Sequence, residues 1–162
     1  MTMNQLPQPG IVLQPGQGRT LCVAGDVVTF KAVGSQTEGK YMLMETRVEP
    51  QAGPPPHIHS REDEAFYIQA GVVEFQLDER TIVATPGTFL HSPKGQLHSF
   101  KNIGTTPAKM LIWSTPAGIE QFFIEVGIPM QDPEGLPPAL TSTVVEKMLA
   151  TAPNYGIEIR LN

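Results

Sequence analysis

Cysteine is almost absent: Cys22 stands alone among 162 residues. A lone thiol allows no intramolecular disulfide framework, so a metal site would have to be built from histidine and carboxylate. The simplest role for Cys22 is a small apolar filler on a strand. Basic runs are missing as well. Lys and Arg number 11 against 16 Asp and Glu, and no stripe of positive charge could neutralise phosphates, which argues against a nucleic-acid partner. No apolar stretch approaches the length that spans a bilayer, and the opening MTMNQLPQPG has neither a basic n-region nor an apolar h-region. The expectation is a soluble, cytoplasmic protein with no membrane partner. No internal repeat is visible, and the length suits one hydrophobic core.

What the sequence does contain is punctuation. Glycine (15) and proline (16) are scattered between short β-rich runs: DVVTFKAV, KYMLMETRV, EAFYIQA, VVEFQL, RTIVAT, LHSFKNI and AKMLIWS. So many short runs bounded by turn residues predict an all-β sandwich or barrel. The polar, Gln/Pro/Gly-rich residues 1–18 read as a loose arm or an edge strand, 19–127 as the barrel with a flanking helix, and 128–162 as a C-terminal extension with a short helix. For the first helix, Thr115 as N-cap and Pro116 in the first turn precede Ile119, Phe122, Phe123 and Val126 at one-face spacing, up to Gly127. It is expected on the outside of the barrel. Thr143 and Glu146 offer a second start signal before Met148 and Leu149, with the helix ending before Pro153.

Three of the four histidines, His57, His59 and His98, fall in two compact segments with Glu64 close to the first pair. On an extended strand His57 and His59 project to the same face, and Glu64 can return to it after the turn through Ser60 to Asp63. His98 follows the Pro93 and Gly95 turn and supplies a fourth donor if its strand neighbours the first pair. Three imidazoles and a carboxylate accept Mn, Fe, Co, Ni, Cu or Zn, leaving one or two positions for water, substrate or dioxygen. The alternative is structural: the imidazoles fill polar pockets and Glu64 pairs with a base such as Arg61. Phe66, Ile68 and Phe100 share strand parity with Glu64 or His98 and should form an apolar pocket around the site, or ordinary core. Met42, Met44 and Trp113 are further wall candidates, with core packing the simpler role. His91 reads as a surface or packing residue, and Arg61, Glu62 and Asp63 as a solvated turn.

The two segments resemble the paired motifs of the cupin superfamily. The first reads His57, Ile58, His59, four residues, Glu64, six residues, Gly71; the second is met by Gly87, Pro93, Gly95, His98 and Asn102. One place departs: where the first motif usually opens with Gly this chain has Gln51, and the nearest glycine is Gly53. PPPHIHSREDEAFYIQAG, PAGIEQFFIEVGIP and NYGIEI are similar to single-domain bacterial cupins described as quercetin dioxygenase-like. The resemblance implies a double-stranded β-helix (jelly-roll) barrel with one or two short C-terminal helices. It also implies one divalent transition metal per chain on His57, His59, Glu64 and His98, a homodimer, and a small-molecule substrate entering the barrel mouth. For a quercetinase-type dioxygenase, Glu64 would also take the substrate hydroxyl proton. A sugar isomerase or epimerase would want clustered Lys or Arg, and only Arg61 and Lys94 lie within the motifs. A metal-anchored binding or sensor module is the non-enzymatic competitor.

Overall fold

The computed structural model describes residues 9–161. The part of the N-terminal arm before residue 9 lies outside them, and residues 9–18 are exposed and form no strand. The elements are β1 (Thr20–Val23), β2 (Asp26–Ala32), β3 (Met42–Val48), β4 (His57–His59), β5 (Asp63–Ala70), β6 (Val73–Leu77), β7 (Arg80–Ala84), β8 (Phe89–Ser92), β9 (His98–Asn102) and β10 (Ala108–Thr115). They are followed by α1 (Glu120–Val126), β11 (Ile128–Met130), α2 (Ser142–Thr151), a 3-10 turn (Ala152–Tyr155) and β12 (Ile157–Ile159). One sheet runs β11-β1-β2-β3-β10-β5-β8 and the other β12-β4-β9-β6-β7, antiparallel in every pairing. This is the expected all-β barrel.

Period-two burial explains the layering. In β10, Ala108, Met110, Ile112 and Ser114 are buried while the residues between them are more accessible, and β6 and β9 alternate in the same way. Phe66 from the larger sheet meets Phe75 and Phe100 from the smaller, with ring centroids 5.1 and 6.2 Å apart. Each such buried ring contributes about 1.5–3 kcal/mol by burial alone. Asn102, fully buried, donates to Val48 O and Thr106 O and accepts from Gly104 N, closing the turn between β9 and β10. Cys22 is buried on β1, as a filler should be, and burial raises its thiol pKa.

Several sequence expectations are corrected. Thr115 does not cap α1: its backbone is taken up in strand pairing opposite Asp63, and the helix begins at Glu120 with no side-chain cap. The buried Glu120 carboxylate instead accepts from Gly118 N and Gly34 N. In α2 the cap is Thr141, accepting from Val144 N, rather than Thr143. The helices do not lie on the outer wall: Phe122 and Phe123 of α1 and Met148 of α2 line the internal cavity, and the Phe123 ring sits 6.5 Å from Phe30. Strands β11 and β12 were not foreseen, because three residues are too few to show a period. β12 sets Ile157 opposite His59 and Ile159 opposite His57, so the chain's last strand backs the first histidine pair.

The departure at Gln51 has a local answer. Gln51 itself adopts φ 66°, the left-handed conformation glycine favours, with its N–H donating to Asn102 O at 2.8 Å. The irreplaceable glycine is Gly53, at φ 146°, where a Cβ would stand 2.0 Å from the Phe100 carbonyl oxygen. The approach to β4 is therefore pinned against β9, the strand that carries His98.

Candidate metal centre

Four side chains converge where the two sheets face each other. β4 presents His57 and His59, β9 sets His98 directly opposite His57, and β5 of the other sheet brings in Glu64. One ligand atom from each of His57, His59, Glu64 and His98 lies within 4.8 Å of the others. Glu64 Oε2 is 2.9 Å from His98 Nε2 and 3.3 Å from His59 Nε2, and Glu64 Oε1 accepts from Ser114 Oγ at 3.3 Å. His57 Nδ1 is 2.8 Å from Pro55 O, which calls for a proton on Nδ1 and leaves Nε2 bare toward the centre. His98 Nδ1 lies 3.2 Å from both Gln96 O and Ser92 Oγ, so its Nε2 is aimed the same way.

His59 supplies the test of fit for a cation. Both of its ring nitrogens are buried with no hydrogen-bond partner among the described residues, a costly arrangement unless something else satisfies them. Nε2 faces the cluster, where a metal would use its lone pair. Nδ1 faces Glu62 Oε2 at 3.8 Å, the position from which a carboxylate orients a metal-bound imidazole. The donor set therefore fits a divalent transition metal.

Electrostatics point the same way. Burial, with His98 and His59 nearby, pushes His57 down to about 3, and burial also lowers His59. Both are neutral imidazoles, the form that binds metal. Burial alone would raise Glu64, but His59 and His98 outweigh it and hold the carboxyl well below the usual range. Burial likewise works against a charged His98, yet its hydrogen bond to Glu64 prevails and raises it.

Sequence reasoning misplaced some neighbours. Glu62 is not in a solvated turn: it is only 4% exposed, tucked behind His59, and burial with the nearby Glu64 raises it to about 7. A carboxylate three residues from a ligand histidine was the available signal. Asp63 accepts from Lys94 N and lies 3.6 Å from a half-exposed His91, consistent with a surface role for that histidine. Phe66 and Phe100 line the cavity beside the ligands, as does Met44. Ile68 and Met42 are fully buried but are not among the lining residues; Ile68 pairs with Met110 deeper in the core. Trp113 points to the other face, stacked on Phe89 at 5.8 Å.

Residues 44–114 match the model of the cupin domain. Quercetin 2,3-dioxygenase of Bacillus subtilis (strain 168) is 26% identical over 131 residues, covering 80% of this chain and 39% of that enzyme; the chain thus spans well under half of its relative's length. Among solved structures, KdgF from Halomonas sp. superposes with a TM-score of 0.61 at 16% identity, over 69% of this chain and 99% of that one. A sugar phosphate isomerase from Silicibacter pomeroyi reaches 0.51 at 23% identity, over 58% and 61%. At such identities these structures share the fold alone.

Proposed function

Starting from a chain that belongs to the cupin superfamily, we propose that it is a metal-dependent dioxygenase of quercetinase type, acting on an enolisable aromatic small molecule. The observation that carries this reading is a three-histidine, one-carboxylate cluster opening on a cavity walled by Val28, Met44, Phe66, Phe100, Ile112 and Phe122. A flat aromatic ring suits such a wall. The distant likeness to quercetin 2,3-dioxygenase supports the same chemistry. A divalent transition metal held by His57, His59, Glu64 and His98 would acidify a coordinated substrate oxygen and, if redox-active, serve dioxygen chemistry.

The chain's own residues do the rest. Pro55 O, Gln96 O and Ser92 Oγ fix the orientation of His57 and His98. In this reading Glu64, held ionised at the cavity wall, accepts the substrate hydroxyl proton; its proton affinity is lowered rather than raised, so it is a weak base that serves only if that hydroxyl is itself made acidic. The apolar wall excludes water from the reacting oxygen.

A sugar-phosphate substrate fits less well, since among the described residues no Lys or Arg lines the cavity. The homodimer implied by the family belongs to the same reading. Exposed Tyr67 and Phe89 on β5 and the edge strand β8 give it an apolar face, and a monomer in light scattering at micromolar concentration would remove it. The enzymatic reading is tested by oxygen uptake with a panel of flavonols after loading with Mn, Fe, Co, Ni or Cu verified by metal analysis. Turnover with at least one metal is expected. No uptake with any combination would overturn it in favour of a metal-anchored binding module.

A further inference from the structure

The cavity has a second polar pole. Among its lining residues, Asp26 of β2 and Thr46 of β3 are only 6% and 1% exposed, and Asp26 Oδ1 and Thr46 Oγ1 are buried with no hydrogen-bond partner among the described residues. Unpaired polar atoms in an apolar wall destabilise a fold by about 1–3 kcal/mol each, so two on one cavity call for an explanation outside the fold itself. They are neighbours: Thr46 pairs with Val28, and Asp26 lies two residues before Val28 on the same face, a diagonal relation across adjacent strands.

Register places this pair away from the ligand Glu64. Glu64 faces Ser114, and Ser114 faces Met42. Thr46 lies four residues farther along β3, about 13 Å at about 3.3 Å per residue, with Asp26 beyond it. Between the poles the wall is Met44, Val28, Ile112 and Phe66. A small acid such as oxalate cannot touch both poles. An elongated aromatic can.

We propose that Asp26 and Thr46 bind a hydroxyl group at the end of the substrate remote from the metal ligands, so that the substrate class is an elongated aromatic carrying a hydroxyl at each end. This deepens the dioxygenase reading and rests on it for the aromatic character of the ligand. The chemistry of the pole favours a hydroxyl over an ammonium. Burial, reinforced by Glu49, pushes Asp26 up to about 8, so near neutral pH it is mostly protonated and can donate as well as accept. Thr46 Oγ1 can do both too. Together they match a group that is itself donor and acceptor, and no full charge has to be buried.

The test uses metal-loaded protein and two probes of similar size: flavonol hydroxylated, or methylated, at the para position of its pendant ring. Calorimetric titration should show the hydroxylated probe binding wild type about tenfold more tightly. Thr46→Val and Asp26→Leu should each shrink that ratio toward one at unchanged metal content. Equal affinities in wild type, or a ratio unmoved by both substitutions, would overturn the assignment while leaving the dioxygenase reading intact. Failure of both probes to bind would instead count against the aromatic substrate. The melting temperatures of the two metal-loaded, probe-free variants would then decide the pole. Values above wild type are expected for groups kept for a ligand, and values below it in both variants would show structural groups and overturn the proposal.

Discussion

The two sheets bring different chemistry to one seam. The five-stranded sheet supplies all three imidazoles, from β4 and β9, two of them held by hydrogen bonds, His57 to Pro55 and His98 to Gln96 and Ser92, while Glu62 stands 3.8 Å behind His59. The seven-stranded sheet supplies one carboxylate, Glu64, together with Asp26, Thr46 and much of the apolar wall. One wall is a prepared set of imidazoles, two of them held neutral by burial. The other carries the negative charge and shapes the space for a ligand. A cation at the junction would therefore tie the sheets together as well as serve chemistry.

Removing the carboxylate from its wall should have the largest effect. Glu64→Gln leaves an amide oxygen that still coordinates weakly but accepts no proton, so turnover should fall by about 10²–10⁴-fold while metal content falls far less. Both must be read on the same sample, and a parallel loss of the two would reduce Glu64 to a ligand.

Releasing the seam comes next. If the metal binds only the folded protein at about 100 times its dissociation constant, chelation removes about 2.7 kcal/mol of stability, or about 5–10 °C in Tm for a chain of this size. Scanning calorimetry with and without chelator measures it, and an unchanged Tm would contradict a metal shared between the sheets.

A third effect belongs to the imidazole wall of the metal-free protein. His57 and His59 titrate lower when folded than the unfolded value of about 6.5. For these two groups the unfolded chain binds more protons between about pH 6.5 and 4.5, which lowers stability as pH falls by about 1.4 kcal/mol per pH unit for each proton taken up, while Glu62 and Asp26, raised in the fold to about 7 and about 8, act in the opposite sense over the same range. His98, raised in the fold, adds nothing to the slope there, because it is protonated in both states; its contribution is lost only as pH rises through its folded value. Urea melts of wild type and His57→Asn across that range isolate the histidine contribution: wild type should lose more stability than the variant as pH falls, and parallel profiles would indicate that His57 is not held neutral.

Much of this was legible in the chain. Short β-rich runs and scattered turn residues announced the barrel, and His57, His59, Glu64 and His98 stood out because strand parity and motif spacing are local properties. What the sequence hid depends on contacts between distant segments. Glu62 looked like a turn residue until the His59 ring and the distant Gly118 were seen beside its carboxylate. Thr115 had the chemistry of an N-cap, but strand pairing with β5 claimed its backbone. Asp26 and Thr46 gave no signal at all, since a polar residue in a strand is conspicuous only once its face is known to be inward.

The most direct test of the account is the metal content of untagged protein purified without chelators, measured by elemental mass spectrometry for wild type, His57→Ala and His98→Ala. The account predicts about one divalent transition metal per wild-type chain and most of it lost in each variant, since a lost imidazole leaves three donors for an ion whose preferred sites use at least four. Full retention of metal in both variants would contradict it.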